Sequence, residues 1–262
     1  MRHLSRCLAS LLLTVAIPAH TCTAATVTYD TAQYWPIVSG SYVGLGTGPA
    51  TGTITTLGET FVAPNWPSVK LNDFSFNIAS APGPVASLHM RAFVFAWSGS
   101  LFGYLGSGQT MGSALYLSPS FTVNPPSYPA GWASVNVNLG LNGLTLNAGQ
   151  HYVMGFTLSD TADYAASQGY FMLQFVPVRN PYYNPPPIPL NVDYGGGGLV
   201  SLNNSNNFAA LTTTRWSTEG SAVAAFTAHF TVVPEPSIAS LTLLAASLVA
   251  SRVNGTQARR RA

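Results

Sequence analysis

The stretch Trp132-Ala133-Ser134-Val135-Asn136-Val137-Asn138-Leu139 decides the fold class, because apolar and polar side chains alternate along it. In an extended strand successive side chains point to opposite faces, so the valines and the leucine share one face and the serine and asparagines share the other. A strand of this kind is typical of an antiparallel sheet with one face on a core and the other in water. The stretch therefore predicts a half-buried strand of an antiparallel sheet.

Similar runs of apolar and β-branched residues recur along the middle of the chain and are separated by Gly and Pro, with no helical stretch between them. This spacing predicts an all-β fold, namely a single antiparallel β-sandwich, jelly-roll-like, with one hydrophobic core. The predicted strands are residues 51–62, 69–78, 86–97, 114–123, 132–139, 151–158, 170–176 and 224–232.

Three segments carry more specific expectations. Residues 88–97 are polar at one end and apolar on both faces at the other, which predicts an edge strand of the sandwich that passes under a loop. The segment 179–208 is rich in Pro and Gly, which are rare inside central strands, and predicts a surface loop or a short edge hairpin. Gly44-Leu45-Gly46-Thr47-Gly48 superficially resembles a dinucleotide-binding loop but lacks its final glycine spacing, and predicts a turn.

The composition excludes several classes of protein. The chain has 262 residues, of which 47% are hydrophobic and 7% charged, whereas an average soluble domain has about 25% charged residues. A disordered polyelectrolyte is therefore excluded. Residues 26–233 contain a single Lys, and their acidic side chains outnumber the basic ones. Because nucleic-acid binding depends on clustered Lys and Arg, no nucleic-acid partner is expected.

The first 25 residues are typical of a secretory signal peptide. Arg2 and Arg6 form a basic start, residues 7–19 form an apolar run, and small residues precede a predicted cleavage after Ala24 or Ala25. We therefore expect the chain to be exported.

Cleavage there has a chemical consequence, because it removes both cysteines of the chain, Cys7 and Cys22. The mature protein would then hold no disulfide, no cysteine nucleophile and no cysteine-ligated zinc. A lipoprotein with a lipidated Cys22 is the less favoured alternative, since Ala19-His20-Thr21 lacks the aliphatic residue usual before such a cysteine.

The last 29 residues are arranged as in a C-terminal membrane anchor. Pro234-Glu235-Pro236 is followed by an uncharged apolar segment, about 237–251, and then by Arg252 and the cluster Arg259-Arg260-Arg261. As a helix the uncharged stretch from Pro236 to Ser251 spans about 24 Å, somewhat short of a hydrocarbon core of about 30 Å, and snorkelling of Arg252 can cover the difference. Arginines on the C-terminal side predict that this end stays in the cytoplasm.

This tail resembles the PEP-CTERM sorting signal of Gram-negative bacteria. The resemblance implies that an inner-membrane exosortase, a cysteine transpeptidase-like enzyme, recognises and cleaves the tail in an organism that makes extracellular polysaccharide. It departs from the family pattern because residues 253–258 separate Arg252 from the terminal arginines. The matching positions are Pro234, Glu235 and Pro236 for recognition and Arg252, Arg259, Arg260 and Arg261 as stop-transfer charges.

The predicted organisation is a signal peptide at 1–25, a β-sandwich ectodomain at 26–233 and the sorting signal at 234–262. The predicted function is that of an exported cell-surface or extracellular-matrix protein, held transiently in the inner membrane and associated with exopolysaccharide or biofilm. We expect neither catalysis nor a cofactor or metal. Two alternatives stay open: a carbohydrate-binding module, and a glycosidase or lyase.

Some side chains nevertheless suggest sites. His89, His151 and His229 lie on predicted strands and could bind zinc if the fold brought them together, although isolated strand histidines more often bond to nearby backbone. Asp160 and Asp163 could supply oxygens to calcium, although such a pair in a loop more often caps a turn.

The remaining alternatives concern sugars. A glycosidase needs two carboxylates about 5 to 10 Å apart, and a sugar-binding face would use exposed aromatic rings. Most aromatics in a sandwich are core residues, and no spacing here selects a stacking platform. The aromatics in or beside predicted loops are Tyr128, Trp132, Tyr164, Tyr182, Tyr183 and Tyr194.

Overall fold

The protein folds as two antiparallel β-sheets in a computed structural model. The structure describes residues 24–32, 42–46, 54–80, 88–99, 107–127, 130–159, 170–177, 197–218 and 222–233. The strands are β1 (Ala25–Asp30), β2 (Tyr42–Gly46), β3 (Thr56–Val62), β4 (Ser68–Ser80), β5 (Leu88–Gly99), β6 (Ser107–Leu117), β7 (Phe121–Val123), β8 (Ala133–Asn138), β9 (Leu144–Leu146), β10 (His151–Thr157), β11 (Tyr170–Pro177), β12 (Leu199–Leu202), β13 (Trp216–Thr218), β14 (Ala222–Ala224) and β15 (Phe226–Val233), with one four-residue helix among these ranges, α1 (Ala210–Thr213).

The all-β, antiparallel and sandwich-like character predicted from the sequence is confirmed. Within the ranges given above, no helix is long and apolar enough to cross a membrane. The predicted anchor at 237–251 and residues 1–23 of the leader predicted at 1–25 lie outside those ranges.

The first sheet is centred on the long strand β4. Its strands follow the order β1-β15-β4-β11-β14, with β2 paired to β11 and with β8 and β9 paired to β4. Along β15 every second side chain is buried, whereas the same alternation along β4 is interrupted by a bulge at Asn72 and ends in three buried residues, Ile78 to Ser80. These inward side chains form the main core with their counterparts from the second sheet, and the largest of them are Phe74, Phe76, Phe226 and Phe230.

The second sheet closes on itself. Its strands pair in the order β10-β3-β12-β13-β6-β5, and β5 also pairs with β10, which completes a ring of six strands with β7 attached to β5. A ring has no free edge between its members, so every ladder inside it is continued on both sides.

Apolar side chains fill the ring as a second hydrophobic core, where the sequence predicted one core. The Trp216 ring meets Phe93 and Trp97 with centroids 5.9 Å apart in each case and edge-to-face geometry. Its indole nitrogen donates to the carbonyl oxygen of Leu211 in α1 at 2.9 Å, so the helix is tied to the ring interior. The fully buried members of this core are Phe93, Phe95, Trp97, Val153, Val200, Leu202, Leu211 and Trp216.

Three strands of the ring, β3, β10 and β5, also form the layer that faces the first sheet. On β5, Phe93 and Phe95 point into the ring, whereas Ala92 and Val94 point into the main core. The same division holds on β10, where Val153 belongs to the ring and its neighbours on either side belong to the main core. These three strands therefore have no face in water along their central residues.

A pair of glycines allows the neighbouring strands β3 and β10 to approach each other closely. Gly58 and Gly155 lie opposite each other on β3 and β10, and Gly155 also lies opposite Phe93 on β5. A Cβ on Gly58 would lie 2.7 Å from Val153 Cγ2 and 3.5 Å from Phe93 Cζ. A Cβ on Gly155 would overlap the backbone of Leu57 and Gly58. The space that side chains would occupy here is thus taken by backbone and by neighbouring side chains.

The prediction that residues 88–97 form an edge strand is wrong. Strand β5 pairs with β10, β6 and β7 and lies inside the second sheet. The predicted double burial was correct, but its cause is the ring on one side and the main core on the other. Ring closure is non-local, so the side-chain pattern within 88–97 carries no sign of it.

Two more segments differ from their predictions. Within the predicted loop 179–208, residues Leu199–Leu202 form the fully buried strand β12 between β3 and β13, and residues 179–196 lie outside the described ranges. The backbone N–H of Thr60 donates to the carbonyl oxygen of Gly198, and the N–H of Gly198 donates to the Thr60 hydroxyl, so Gly198 extends this ladder by one residue. The predicted turn is also wrong at Gly44-Leu45-Gly46, which belongs to β2 and pairs with β11.

We expect Gly155→Ala to lower the free energy of unfolding by about 1–3 kcal/mol, because the added methyl group overlaps backbone in a packed layer. Chemical denaturation of the two proteins measures the difference. Gly131→Ala is the control, since its Cβ would meet only Pro126 Cγ, at 3.9 Å. Equal losses in the two variants would contradict the close approach of β3 and β10.

Candidate functional site on the outer face of the first sheet

The outer face of the first sheet is a continuous surface of short polar side chains, which we call the polar face. It is formed by the residues that alternate with the buried phenylalanines and valines on four neighbouring strands. Only three of its members are Lys or Asp. The polar face comprises Thr26, Thr28, Asp30, Lys70, Asn72, Asp73, Ser75, Asn77, Ser134, Asn136, Asn138, Thr227, His229 and Thr231.

Strand register arranges these side chains in rows. One row runs across four strands from Thr28 through His229 and Asp73 to Asn138. At its centre His229 Nδ1 lies 2.6 Å from Asp73 Oδ1, and both side chains are about two-fifths exposed. The pair fixes the orientation of the imidazole ring at the middle of the face.

Other hydrogen bonds hold the polar side chains in place. Asn72 Nδ2 donates to Thr231 Oγ1 at 2.8 Å, and Thr227 Oγ1 donates to Asp30 Oδ1 at 3.3 Å. The side chains are short, so little conformational freedom is lost when they bind a ligand. The polar face therefore presents fixed donors and acceptors with little net charge.

One buried amide at the end of the face has spare hydrogen-bonding capacity. Gln174 on β11 is fully buried, and its Oε1 accepts a hydrogen bond from Asn77 Nδ2 at 3.1 Å. Its Nε2 has no hydrogen-bond partner among the described residues. An unpaired buried donor is costly, so this position favours an additional acceptor.

The structure does not bring the three histidines together. His229 lies on the first sheet, whereas His89 and His151 lie near opposite ends of the neighbouring strands β5 and β10. His89 Nδ1 is 3.1 Å from Thr122 Oγ1 on β7. In the described part of the chain no group of three His, Cys, Asp or Glu side chains could hold a metal ion. The zinc alternative thus has no support among these residues.

Most other residues selected from the sequence lie outside the described ranges. Trp132 is described and half-buried, and Ala24 and Ala25 are exposed at the start of the first sheet. The positions outside the ranges are Tyr128, Asp160, Asp163, Tyr164, Tyr182, Tyr183, Tyr194, Pro234, Glu235, Pro236, Arg252, Arg259, Arg260 and Arg261.

A buried carboxylate was missed in the sequence analysis. Glu59 on β3 is fully buried between the sheets, and its Oε2 accepts the backbone N–H of Ala224 on β14 at 2.9 Å. The sequence does contain an indication that Glu59 is buried, because in a strand it shares one face with the apolar Leu57 and Phe61. Because the carboxylate is closed off from solvent, it cannot meet a substrate and acts as an acceptor that joins the two sheets.

A second buried polar cluster lies at one end of the ring. The Asn204 side chain accepts hydrogen bonds from Thr55 and Thr56 at 2.7 and 2.8 Å and donates to Ser159 Oγ at 2.9 Å. The Thr56 hydroxyl also bonds to Thr157 at 2.7 Å. Since its members bond to one another, this cluster rigidifies the end of the ring.

Comparisons with known proteins add little to this geometry. No protein-family model and no curated protein matches the chain. The chain is similar to the crystal structure of the cysteine protease and lectin-like domains of Cwp84, a surface layer associated protein of Clostridium difficile, with 14% identity and a TM-score of 0.36. The similarity covers 68% of this chain and 32% of that one. A similarity at this level carries no argument about function.

We expect Glu59→Ala to destabilise the fold by about 3 kcal/mol, because it leaves the buried N–H of Ala224 without this acceptor and opens a cavity. Denaturant titration measures the loss. Glu59→Gln is the matched control, since it retains an oxygen acceptor and nearly the same volume, and its loss should be smaller. Unchanged stability of Glu59→Ala would refute the joining role.

Proposed function

We propose that this chain is an exported cell-surface or extracellular-matrix protein. A leader directs its export, its C-terminal segment holds it transiently in the inner membrane, and an exosortase releases it into an envelope rich in extracellular polysaccharide. The domain acts by binding and not by catalysis.

The observation that supports the proposal is where the sheet begins and ends. Strand β1 starts at Ala25, at the predicted leader cleavage, and β15 ends at Val233, immediately before the Pro-Glu-Pro motif. Cleavage after Ala24 leaves every pair of β1 with β15 intact, and cleavage after Ala25 removes only the pair Ala25–Val232. Both terminal segments can therefore be removed without dismantling the sheet.

The motif itself fits recognition by an enzyme. Proline fixes φ and disfavours helix at the preceding residue, so Pro234 and Pro236 keep the segment extended between the last strand and the apolar segment. Glu235 is the only charged residue between Val233 and Arg252. An enzyme can recognise an isolated carboxylate in an extended segment through a charge-assisted hydrogen bond.

We expect Glu235→Gln to slow release of the protein about tenfold or more, because losing a charge-assisted hydrogen bond costs about 1.5–3 kcal/mol. The measurement is mass spectrometry of both termini of the protein recovered from the medium and from inner membranes of a host that has the processing enzyme. Pro236→Ala should stall release in the same way.

The matched control is Glu219→Gln, which removes a carboxylate outside the motif and should leave release unchanged. Normal release of both motif variants with an unchanged C-terminus would refute the sorting mechanism and leave the anchor in place.

Carbohydrate binding is the second candidate function, and the polar face favours it. Hydroxyl-rich neutral polymers are bound through many fixed donors and acceptors, and the polar face offers asparagine, serine, threonine and histidine in rows. The polar face carries few charged groups, so little charge has to lose its water when a neutral sugar binds. Stacking on exposed aromatic rings is not required for this mode.

We expect Ser134→Arg to weaken binding to the host's extracellular polysaccharide about tenfold, which corresponds to about 1.4 kcal/mol. The arginine would cover the neighbouring amides Asn77 and Asn136 on the polar face. Co-sedimentation with the isolated polysaccharide measures the affinity. Ser113→Arg is the control, because Ser113 is also an exposed strand serine but lies on β6 of the other sheet. Equal affinities of the two variants would remove the polar face from the proposal.

A further inference from the structure

The end of the first sheet at which β1 starts and β15 stops is a distinct surface, which we call the proximal rim. Val233 lies opposite Ser68, and Ala25 lies opposite Val232, so the chain enters and leaves the sheet side by side. Two turns, 64–67 and 147–150, complete the rim. They are joined by backbone hydrogen bonds from Ala63 to Gln150 at 2.9 Å and from Gly149 to Ala63 at 3.1 Å.

The chemistry of the proximal rim differs from that of the polar face. The two turns, Ala24, Ala25 and Val233 contain no Asp, Glu, Lys or Arg. Trp66 is 39% exposed and Val233 is 36% exposed, and both are among the few large apolar side chains that reach solvent in the described ranges. The rim is therefore uncharged and carries an exposed indole.

The tether from the rim to the predicted anchor is short. Only Pro234, Glu235 and Pro236 separate Val233 from the start of the apolar segment at Ser237. An extended chain spans at most about 3.3–3.6 Å per residue, so three residues reach about 10 Å. A tether of this length keeps the end of β15 close in the chain to the start of the apolar segment.

We propose that, in the anchored protein, the proximal rim rests on the headgroup layer of the bilayer with the indole of Trp66 inserted into the interface. This inference rests on the proposed function, because it requires the C-terminal segment to be in the membrane. Trp prefers this layer, where its apolar ring is buried and its N–H meets water or headgroups.

One further feature agrees with this orientation. Lys70, the only lysine of the chain, lies two positions beyond Ser68 on the polar face, close enough to the rim to be attracted by anionic lipids.

The test uses residues 25–262, the chain after removal of the predicted leader, which contain no cysteine. This protein is reconstituted into vesicles of phosphatidylethanolamine and phosphatidylglycerol. An environment-sensitive fluorophore is attached through Asn65→Cys on the rim or through Asn203→Cys. The second site is the matched control, because both asparagines are exposed and they lie beyond opposite ends of β3. A spin label on the lipid headgroup quenches the fluorophore only at short range.

We expect quenching to remove about half of the fluorescence at position 65 and almost none at position 203, since only the rim lies in the headgroup layer. Co-flotation with the vesicles is measured in the same samples. If the protein floats with the vesicles and position 65 is not quenched, the rim contact is refuted and the anchor stands. If the protein does not float, the anchor of the proposed function fails and the rim contact fails with it.

A second variant tests the role of the indole itself. Trp66→Ala, combined with the label at position 65, should reduce the quenching to about half of its former value or less, because the aromatic anchor is lost. Leu141→Ala is the control, since Leu141 is a fully exposed apolar residue in the loop between β8 and β9, away from the rim. Unchanged quenching in Trp66→Ala would show that the tether alone positions the domain and would overturn the assignment of Trp66.

Discussion

The fold depends on a layer of three strands that is buried on both faces. Strands β3, β10 and β5 cover the core of the sandwich with one set of side chains and fill the ring with the other. Such a layer must be apolar nearly throughout, and its strands must lie close together where large side chains from two directions meet. The paired glycines Gly58 and Gly155 under Phe93 meet this requirement. The polar groups left inside, Glu59 and the cluster around Asn204, are held by hydrogen bonds of their own.

Side-chain patterns in the sequence predict those parts of the fold that depend on local alternation. The strand 132–139 and the long strand around Phe74 and Phe76 show one apolar and one polar face, and both were located to within two residues. Side-chain patterns do not predict the environment of a strand when that environment depends on neighbouring strands that are distant in the sequence. The sequence of residues 88–97 therefore does not show that β6 and β10 lie on either side of this strand. The strand Leu199–Leu202 has only four residues and follows a glycine run, so its apolar pattern is too short to predict a strand.

The candidate site is predictable to a similar extent. Alternation identifies Ser134, Asn136 and Asn138 as an outward polar row, but it does not show what lies next to that row. The pair of His229 with Asp73 joins residues 156 positions apart, and the contact of Asn77 with Gln174 spans 97. Register between strands creates these contacts, and register depends on the whole sheet. The proposed sorting motif is the opposite case, because it is recognised in the sequence from a short contiguous order of residues.

The pairing of the first strand with the last affects the rate at which the first sheet can form. Strand β15 lies between β1 and β4, so the first sheet lacks its central ladder until the final residues before the Pro-Glu-Pro motif have arrived. Contacts between residues about 200 positions apart make folding slow, because loop closure must precede the gain from pairing. If the chain is exported as proposed above, late completion of the first sheet keeps the chain unfolded while it passes through a translocation pore.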